Sequence, residues 1–251
     1  MSDINSLISN LKVSEIFDSI QGEGPSTGTP SIFLRLSTCN LKCSWCDTKY
    51  TWDWENYDIN KEIIYMAVDD LVRRITHSSK LSNIVITGGE PLLQQDKLVL
   101  LLTLLKTTNR ENEIDYGPYR IEIETNGTIR PQNELVKLID QWNISPKTSN
   151  SLNERQGINL EKFYSKSLTY FRNLENAFFK FIVDKPADIK EIDELIKKYE
   201  LPNKRVILMP QATTKEDLLK KSMWLEEFAK ENDYTMSTRL HVLLWENQRA
   251  K

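Results

Sequence analysis

The sequence is short of several things. Its 251 residues hold three cysteines, two histidines and eight glycines. The cysteine number is odd and all three lie between positions 39 and 46. A disulfide scaffold, which spreads an even set along the chain, is excluded. Neither charge dominates: 33 basic residues face 36 acidic ones, for a net charge of -3. That excludes a general polyanion binder, and no nucleic-acid partner is expected. No long apolar run occurs. Leu98–Leu105 is the longest, interrupted by Thr103, against the roughly 18 residues of a membrane span. No membrane association is expected. The first dozen residues carry polar and acidic side chains without the apolar stretch of a secretory signal, so the chain is read as cytoplasmic. Glycine and proline are too sparse for a low-complexity chain.

What is present is a strand–helix alternation. Strands are expected at Val13–Phe17, Ser31–Leu36, Asn83–Thr87, Arg120–Thr125, Trp142–Ser145, Phe178–Val183, Arg205–Met209 and Leu240–Trp245. Ile64, Val68, Leu71, Val72 and Ile75 share one helical face, and Asp96–Leu105, Asn133–Gln141, Ala187–Tyr199 and Lys215–Lys230 read as further helices. Alternation of this kind gives an α/β fold with a mostly parallel sheet. About six βα units fall short of the eight that close a barrel, so an open, partial (β/α) barrel is expected, with residues 1–251 as a single domain. The polar stretches 109–118 and 148–157 read as loop insertions, and so does the longer polar segment 148–176.

Chemistry concentrates after the second strand. Cys39, Cys43 and Cys46 are spaced C-x3-C-x2-C. Three local thiolates suit a 4Fe–4S cluster with one iron left open, since four protein ligands would fill it. Zinc is the alternative. It needs a fourth ligand, which His241, on its expected strand, could supply; His77 reads as a solvated residue at a helix end. Further on, Thr87-Gly-Gly89-Glu90-Pro91 follows a strand, where glycines let backbone carbonyls approach a ligand. Upstream, Ile20-Gln21-Gly22-Glu23 and Arg35 offer donors and acceptors for a small heterocycle and a fork for a carboxylate.

Taken together, Ser-Ile-Gln-Gly-Glu-Gly, the cysteine run, Thr-Gly-Gly-Glu-Pro, Glu124-Thr-Asn126-Gly127 and Ser145-Pro146-Lys147 resemble the 7-carboxy-7-deazaguanine synthases of the radical S-adenosylmethionine (SAM) superfamily. The resemblance runs from Ile16 to about Arg249. It implies a lyase that contracts the ring of 6-carboxy-5,6,7,8-tetrahydropterin with loss of ammonia, on the route to queuosine or archaeosine. It implies a 4Fe–4S cluster on Cys39, Cys43 and Cys46, SAM, Mg2+ at Thr48, an external one-electron reductant and a homodimer. By the same resemblance SAM meets Trp45, Cys46, Asp47, Gly89, Glu90, Thr125, Asn126, Ser145, Pro146, Lys147 and Gln211. The pterin meets Ile20, Gln21, Gly22, Glu23, Arg35, Thr87 and His241. No catalytic side chain beyond these is singled out.

Two other classes stay open at this level. A glycyl-radical-enzyme activase shares the cysteine spacing but acts on a protein. A non-enzymatic iron–sulfur or zinc module would need no Thr87–Pro91 motif. Three local expectations follow. Arg35 faces the barrel interior, bound either to a substrate carboxylate or to Glu23. A bulky residue at Gly89 blocks SAM and leaves the cluster to assemble. Glu246 and Ala250 stand where the related C-terminal pattern more often has glycine, which puts the local backbone in question.

Overall fold

The computed structural model describes residues 10–107, 119–152, 159–246 and 248–250; the stretch 109–118, read as a loop insertion, lies outside the described residues. The strands are β1 (Asn10–Ile20), β2 (Pro30–Leu36), β3 (Ile64–Ala67), β4 (Asn83–Gly88), β5 (Arg120–Thr125), β6 (Gln141–Ile144), β7 (Ala177–Val183), β8 (Val206–Pro210) and β9 (Thr235–Met236). They form one nine-stranded open sheet in the order β3-β1-β2-β4-β5-β6-β7-β8-β9. From β2 to β9 every neighbouring pair is parallel, while β1 runs antiparallel to both β2 and β3.

The helices are α1 (Ile59–Glu62), α2 (Val68–Ser78), α3 (Gln95–Thr107), α4 (Asn133–Val136), α5 (Leu160–Phe171), α6 (Asp188–Tyr199), α7 (Lys215–Glu231) and α8 (Leu240–Trp245). The helices α2 to α7 connect successive parallel strands, giving six βα units among the described residues. The sheet does not close, as expected of six units. Strands β4, β6 and β8 are buried along almost their whole length, because helices cover one face and the sheet's own curvature shields the other. Leu98, Leu101, Leu102 and Leu105 of α3 and Val68, Leu71 and Ile75 of α2 belong to the same buried core as these strands.

Several expectations fail for identifiable reasons. Leu240–Trp245 is a helix, not a strand; a short apolar run fits either form, and only Val242 of it is buried. Ile64 belongs to edge strand β3, half-exposed, and the helix starts at Val68. The helix expected over Asn133–Gln141 is one turn long. It ends at Val136, and Asp140 is already tied to β5, its backbone N–H donating to the Ile121 carbonyl at 2.9 Å while its carboxylate accepts from the Ile121 N–H at 2.7 Å. The segment 148–176 is no surface insertion, since it contains crossover helix α5. Tyr164, Leu168 and Phe171 are fully buried there, and the Phe171 ring lies 5.3 Å from that of Trp142. Their i, i+4, i+7 spacing is a helical signal that the surrounding polar residues mask.

The C-terminal departures have a visible cost. Glu246, the residue that ends α8, adopts φ 55° and ψ -131°, and Ala250 adopts φ 55°. A side chain is strained in that half of backbone space, and glycine is not. Glu246 is offset in part, as its Oε1 accepts the backbone N–H of Lys215 at the start of α7 at 3.4 Å. That bond is long, so the strain dominates. Glu246→Gly should raise stability by about 1 kcal/mol, or roughly 2–4 °C in a thermal melt. An unchanged or lowered melting temperature contradicts this.

Candidate active site

One cavity of about 470 Å³ opens at the carboxyl ends of the parallel strands, where connecting loops converge. Its floor is a row of polar side chains crossing an otherwise apolar sheet. Register places Glu15 beside Arg35, Arg35 beside Thr87, and Glu124 beside Asn143. Thr87 Oγ1 donates to Glu124 Oε2 at 2.7 Å, and Gln21 Nε2 donates to Glu124 Oε1 at 3.2 Å. Both carboxylate oxygens are thus fixed, each with a lone pair to spare. Arg35 Nε donates to Glu15 Oε2 at 2.9 Å, and its guanidinium lies 5.7 Å from the Phe17 ring. The partner is Glu15 and not Glu23, because Glu15 is the cross-strand neighbour.

The cysteine loop leaves β2 through Thr38, which holds φ 78°. A β-branched residue there is strained. It is pinned by its N–H to the Thr51 carbonyl at 2.7 Å and by the Glu90 N–H to its own carbonyl at 2.8 Å. Cys39, Cys43 and Cys46 then line one part of the cavity. The Leu41 N–H points at Cys39 Sγ (3.4 Å) and the Trp52 indole N–H at Cys46 Sγ (3.3 Å). Burial pushes the Cys39 thiol up to about 12, with the Glu90 carboxylate adding to it. Residues 148–152 brace the loop from outside: the Ser44 N–H donates to the Ser151 carbonyl at 2.8 Å, and Cys43 bridges to Leu152.

A buried charge group forms another wall. Lys180 and Arg239 both pair with Glu23, and Arg239 Nη2 reaches Asp47 Oδ2 at 2.6 Å. Burial favours a neutral Glu23, but Lys180, Arg239 and His241 outweigh it and hold the carboxyl well below the usual carboxylate range. Likewise burial works against a charged Lys180, and Glu23 and Glu124 outweigh it, so its pKa rises.

The chain matches the Radical SAM superfamily over residues 35–210. It is 32% identical to the 7-carboxy-7-deazaguanine synthase of Pyrobaculum aerophilum, covering 96% of this chain and 97% of that one. The namesake protein of Hyperthermus butylicus is 34% identical, with 93% and 92% covered. The crystal structure of QueE from Escherichia coli shares the fold, with a TM-score of 0.63 at 24% identity and coverage of 94% and 98%. The chain belongs to the 7-carboxy-7-deazaguanine synthase family.

Radical SAM enzymes carry a 4Fe–4S cluster and SAM, and this member of the 7-carboxy-7-deazaguanine synthase family has residues that fit both. Three thiols on one cavity wall, with N–H groups aimed at two sulfurs, suit a cluster whose sulfurs accept hydrogen bonds. Gly88, Gly89, Ser145 and Lys147 border the same space with exposed backbone and a cation, as an amino-acid moiety requires.

Every site residue named from the sequence lines this cavity except Glu90 and Pro146. Pro146 is buried behind Ser145 and Lys147. Glu90 has no exposure at all and accepts from the Leu92 N–H (3.0 Å), the Thr125 hydroxyl (2.8 Å) and the Asn126 N–H (2.7 Å). It positions the wall and does not touch the space. His241 is present, on a helix, its Nε2 3.8 Å from Glu23 Oε1; His77 is exposed at the end of α2. Sequence reasoning missed Glu124, Asn143, Lys180 and Arg239. Lys180 carried a usable signal, a lone charge within Ala177–Val183, a strand otherwise wholly apolar.

Gly89 needs a different account from the one its motif suggests. A Cβ there would stand 2.0 Å from the Thr38 carbonyl oxygen and 3.1 Å from the Cys39 nitrogen. The clash falls on backbone leading into the first cysteine. Gly89→Val should therefore lower both SAM binding and iron loading, whereas the motif alone implied intact loading. Iron per chain after anaerobic reconstitution, against wild type, measures this; full iron with SAM binding alone lost contradicts it.

Proposed function

We propose that the chain converts 6-carboxy-5,6,7,8-tetrahydropterin to 7-carboxy-7-deazaguanine with loss of ammonia, as a single domain working as a homodimer with an external one-electron reductant. The observation that carries this reading is the Glu124 carboxylate, held by Gln21 and Thr87 and facing the same cavity as the three cysteines. A pterin presents two adjacent N–H donors, its 2-amino group and N3, which a fixed carboxylate receives side by side. Arg35 stands one strand from Thr87 with its two Nη groups available for the substrate carboxylate. Lys180 and His241 fill out the polar wall.

Cluster and SAM together supply hydrogen-atom abstraction; the chain's part is to orient the pterin and exclude water. Mg2+ belongs to the reading through Thr48. Thr48 borders the cavity, and its hydroxyl lies 3.6 Å from Cys46 Sγ. Mg2+ commonly takes few protein oxygens and completes its shell with substrate and water. The activase alternative needs a protein segment in the cavity. A floor of fixed charges suits a small anionic molecule better.

The test is product analysis by mass spectrometry after anaerobic reconstitution with SAM and the carboxytetrahydropterin. Formation of 7-carboxy-7-deazaguanine is expected; SAM turnover without it overturns the reading. Arg35→Ala should weaken pterin affinity by about 1.5–3 kcal/mol, the scale of a charged hydrogen bond, or roughly 10–150-fold. Glu15 keeps Tyr50 and Arg249 as partners, so the fold should survive. Arg35→Lys should restore affinity only in part, lacking the planar fork. Wild-type affinity in Arg35→Ala would place the substrate carboxylate elsewhere.

A further inference from the structure

The segment from Ser237 to His241 grips the Gly22–Gly24 loop at successive points. Ser237 Oγ accepts the Gly24 N–H at 2.8 Å. The Leu240 N–H donates to the Gly22 carbonyl at 2.9 Å. A Cβ on Gly22 would lie 2.3 Å from His241 Nδ1, so the imidazole packs directly on bare backbone. Between these contacts stands Arg239, 6% exposed. Its Nε donates to Glu23 Oε1 at 3.1 Å, its Nη2 to Asp47 Oδ2 at 2.6 Å, and its Nη1 to the Ala212 carbonyl. One guanidinium thus ties three segments: the Glu23 loop, the stretch just after Cys46 and the end of β8. Both gripped and gripping segments lie outside residues 35–210, whereas Asp47 lies inside them.

We infer that Arg239 is a positioning residue that fastens the Gln21–Glu23 substrate loop to the cysteine loop, setting the distance between pterin and cluster. The inference rests on the pterin reading above. A planar guanidinium can meet three acceptors in three fixed directions, which an ammonium on a flexible stem cannot. Stability alone gives little reason for the arrangement, because burying ion pairs costs about what their attraction returns. Fixed geometry is what the arrangement provides.

Anaerobically reconstituted wild type, Arg239→Gln and Arg239→Lys should be compared by iron content, SAM affinity and equilibrium binding of the carboxytetrahydropterin. Arg239→Gln should keep wild-type iron and SAM affinity within about twofold, and lose pterin affinity by about tenfold or more, the scale of one charge-assisted contact. Arg239→Lys should regain little of it. Pterin affinity within twofold of wild type in Arg239→Gln overturns the inference. So does loss of iron, SAM and pterin binding together, the mark of a purely structural residue. If the wild type itself binds no carboxytetrahydropterin, the functional reading falls and takes the inference with it.

Discussion

One residue with no access to water, Glu90, holds together the ends of three strands through its carboxylate and its backbone N–H. Glu90 follows β4, accepts from the hydroxyl and backbone of Thr125 and Asn126 after β5, and donates its own N–H to Thr38 after β2. Burial raises its pKa, against the hydrogen bonds from Asn126, Leu92 and Thr125. Removing one partner would leave a buried polar group unsatisfied, at a cost of about 1–3 kcal/mol. The fastening extends onward. Asn126 Nδ2 donates to Asn40 Oδ1 at 2.9 Å and lies 3.9 Å from Cys39 Sγ. The first cysteine is therefore placed by a chain of contacts that begins at Glu90. Gly88 and Gly89 serve the same junction by bringing their backbone against Leu36 and Thr38, where no Cβ fits.

Charge in the cavity is paired. Asp47, directly after Cys46, pairs with Arg239, and Glu23, Glu124, Lys180, Arg239 and Arg35 each have a partner of opposite charge or a hydrogen bond. Such an arrangement is preorganised, so little reorientation is needed when a zwitterionic or anionic ligand enters. Its cost is borne by the surrounding fold, where Trp142, Phe179, Phe181 and the α3 leucines supply buried apolar surface.

The parallel strands β2 and β4 to β8 were legible in the sequence because their apolar runs are short and bounded by turns; the two-residue β9 was not. The cysteine spacing and the Gly-Gly-Glu-Pro motif were legible because few other arrangements use them. What escaped was of two kinds. Leu240–Trp245 was misassigned because a run of apolar residues has no period of its own, and Ile64 because its spacing to Val68 continues the helical period into an edge strand; tertiary contacts decide between helix and strand. Glu124, Lys180 and Arg239 escaped because a charge in isolation reads as surface. Arg239 is distant in sequence from both Glu23 and Asp47, and only the fold brings the three together. Glu90 was legible as part of a motif, but its role was not, since a backbone-directed carboxylate and a ligand-directed one look alike in a string of letters.

The division between the matched superfamily region and its flanks gives these contacts a common sense. Residues 35–210 contain the cysteines, the Gly-Gly-Glu-Pro turn and Ser145–Lys147. The cluster and SAM chemistry of the superfamily is common to many proteins, and shared chemistry cannot by itself choose a substrate. Choice must come from side chains that the shared chemistry does not dictate, among them Arg35 and Glu124 inside the region, the proposed pterin contacts. In this chain the flanks supply Gln21 and Glu23 before it and Arg239 and His241 after it, and they meet over the same cavity. Arg249 closes the arrangement by pairing with Glu15 and Glu62 and stacking 3.8 Å from the Tyr50 ring. Glu15 in turn holds Arg35, the first residue of the matched region. The two flanks are thus joined at Glu15, which also holds the residue proposed to bind the substrate carboxylate, so the pocket is complete only when both flanks are in place.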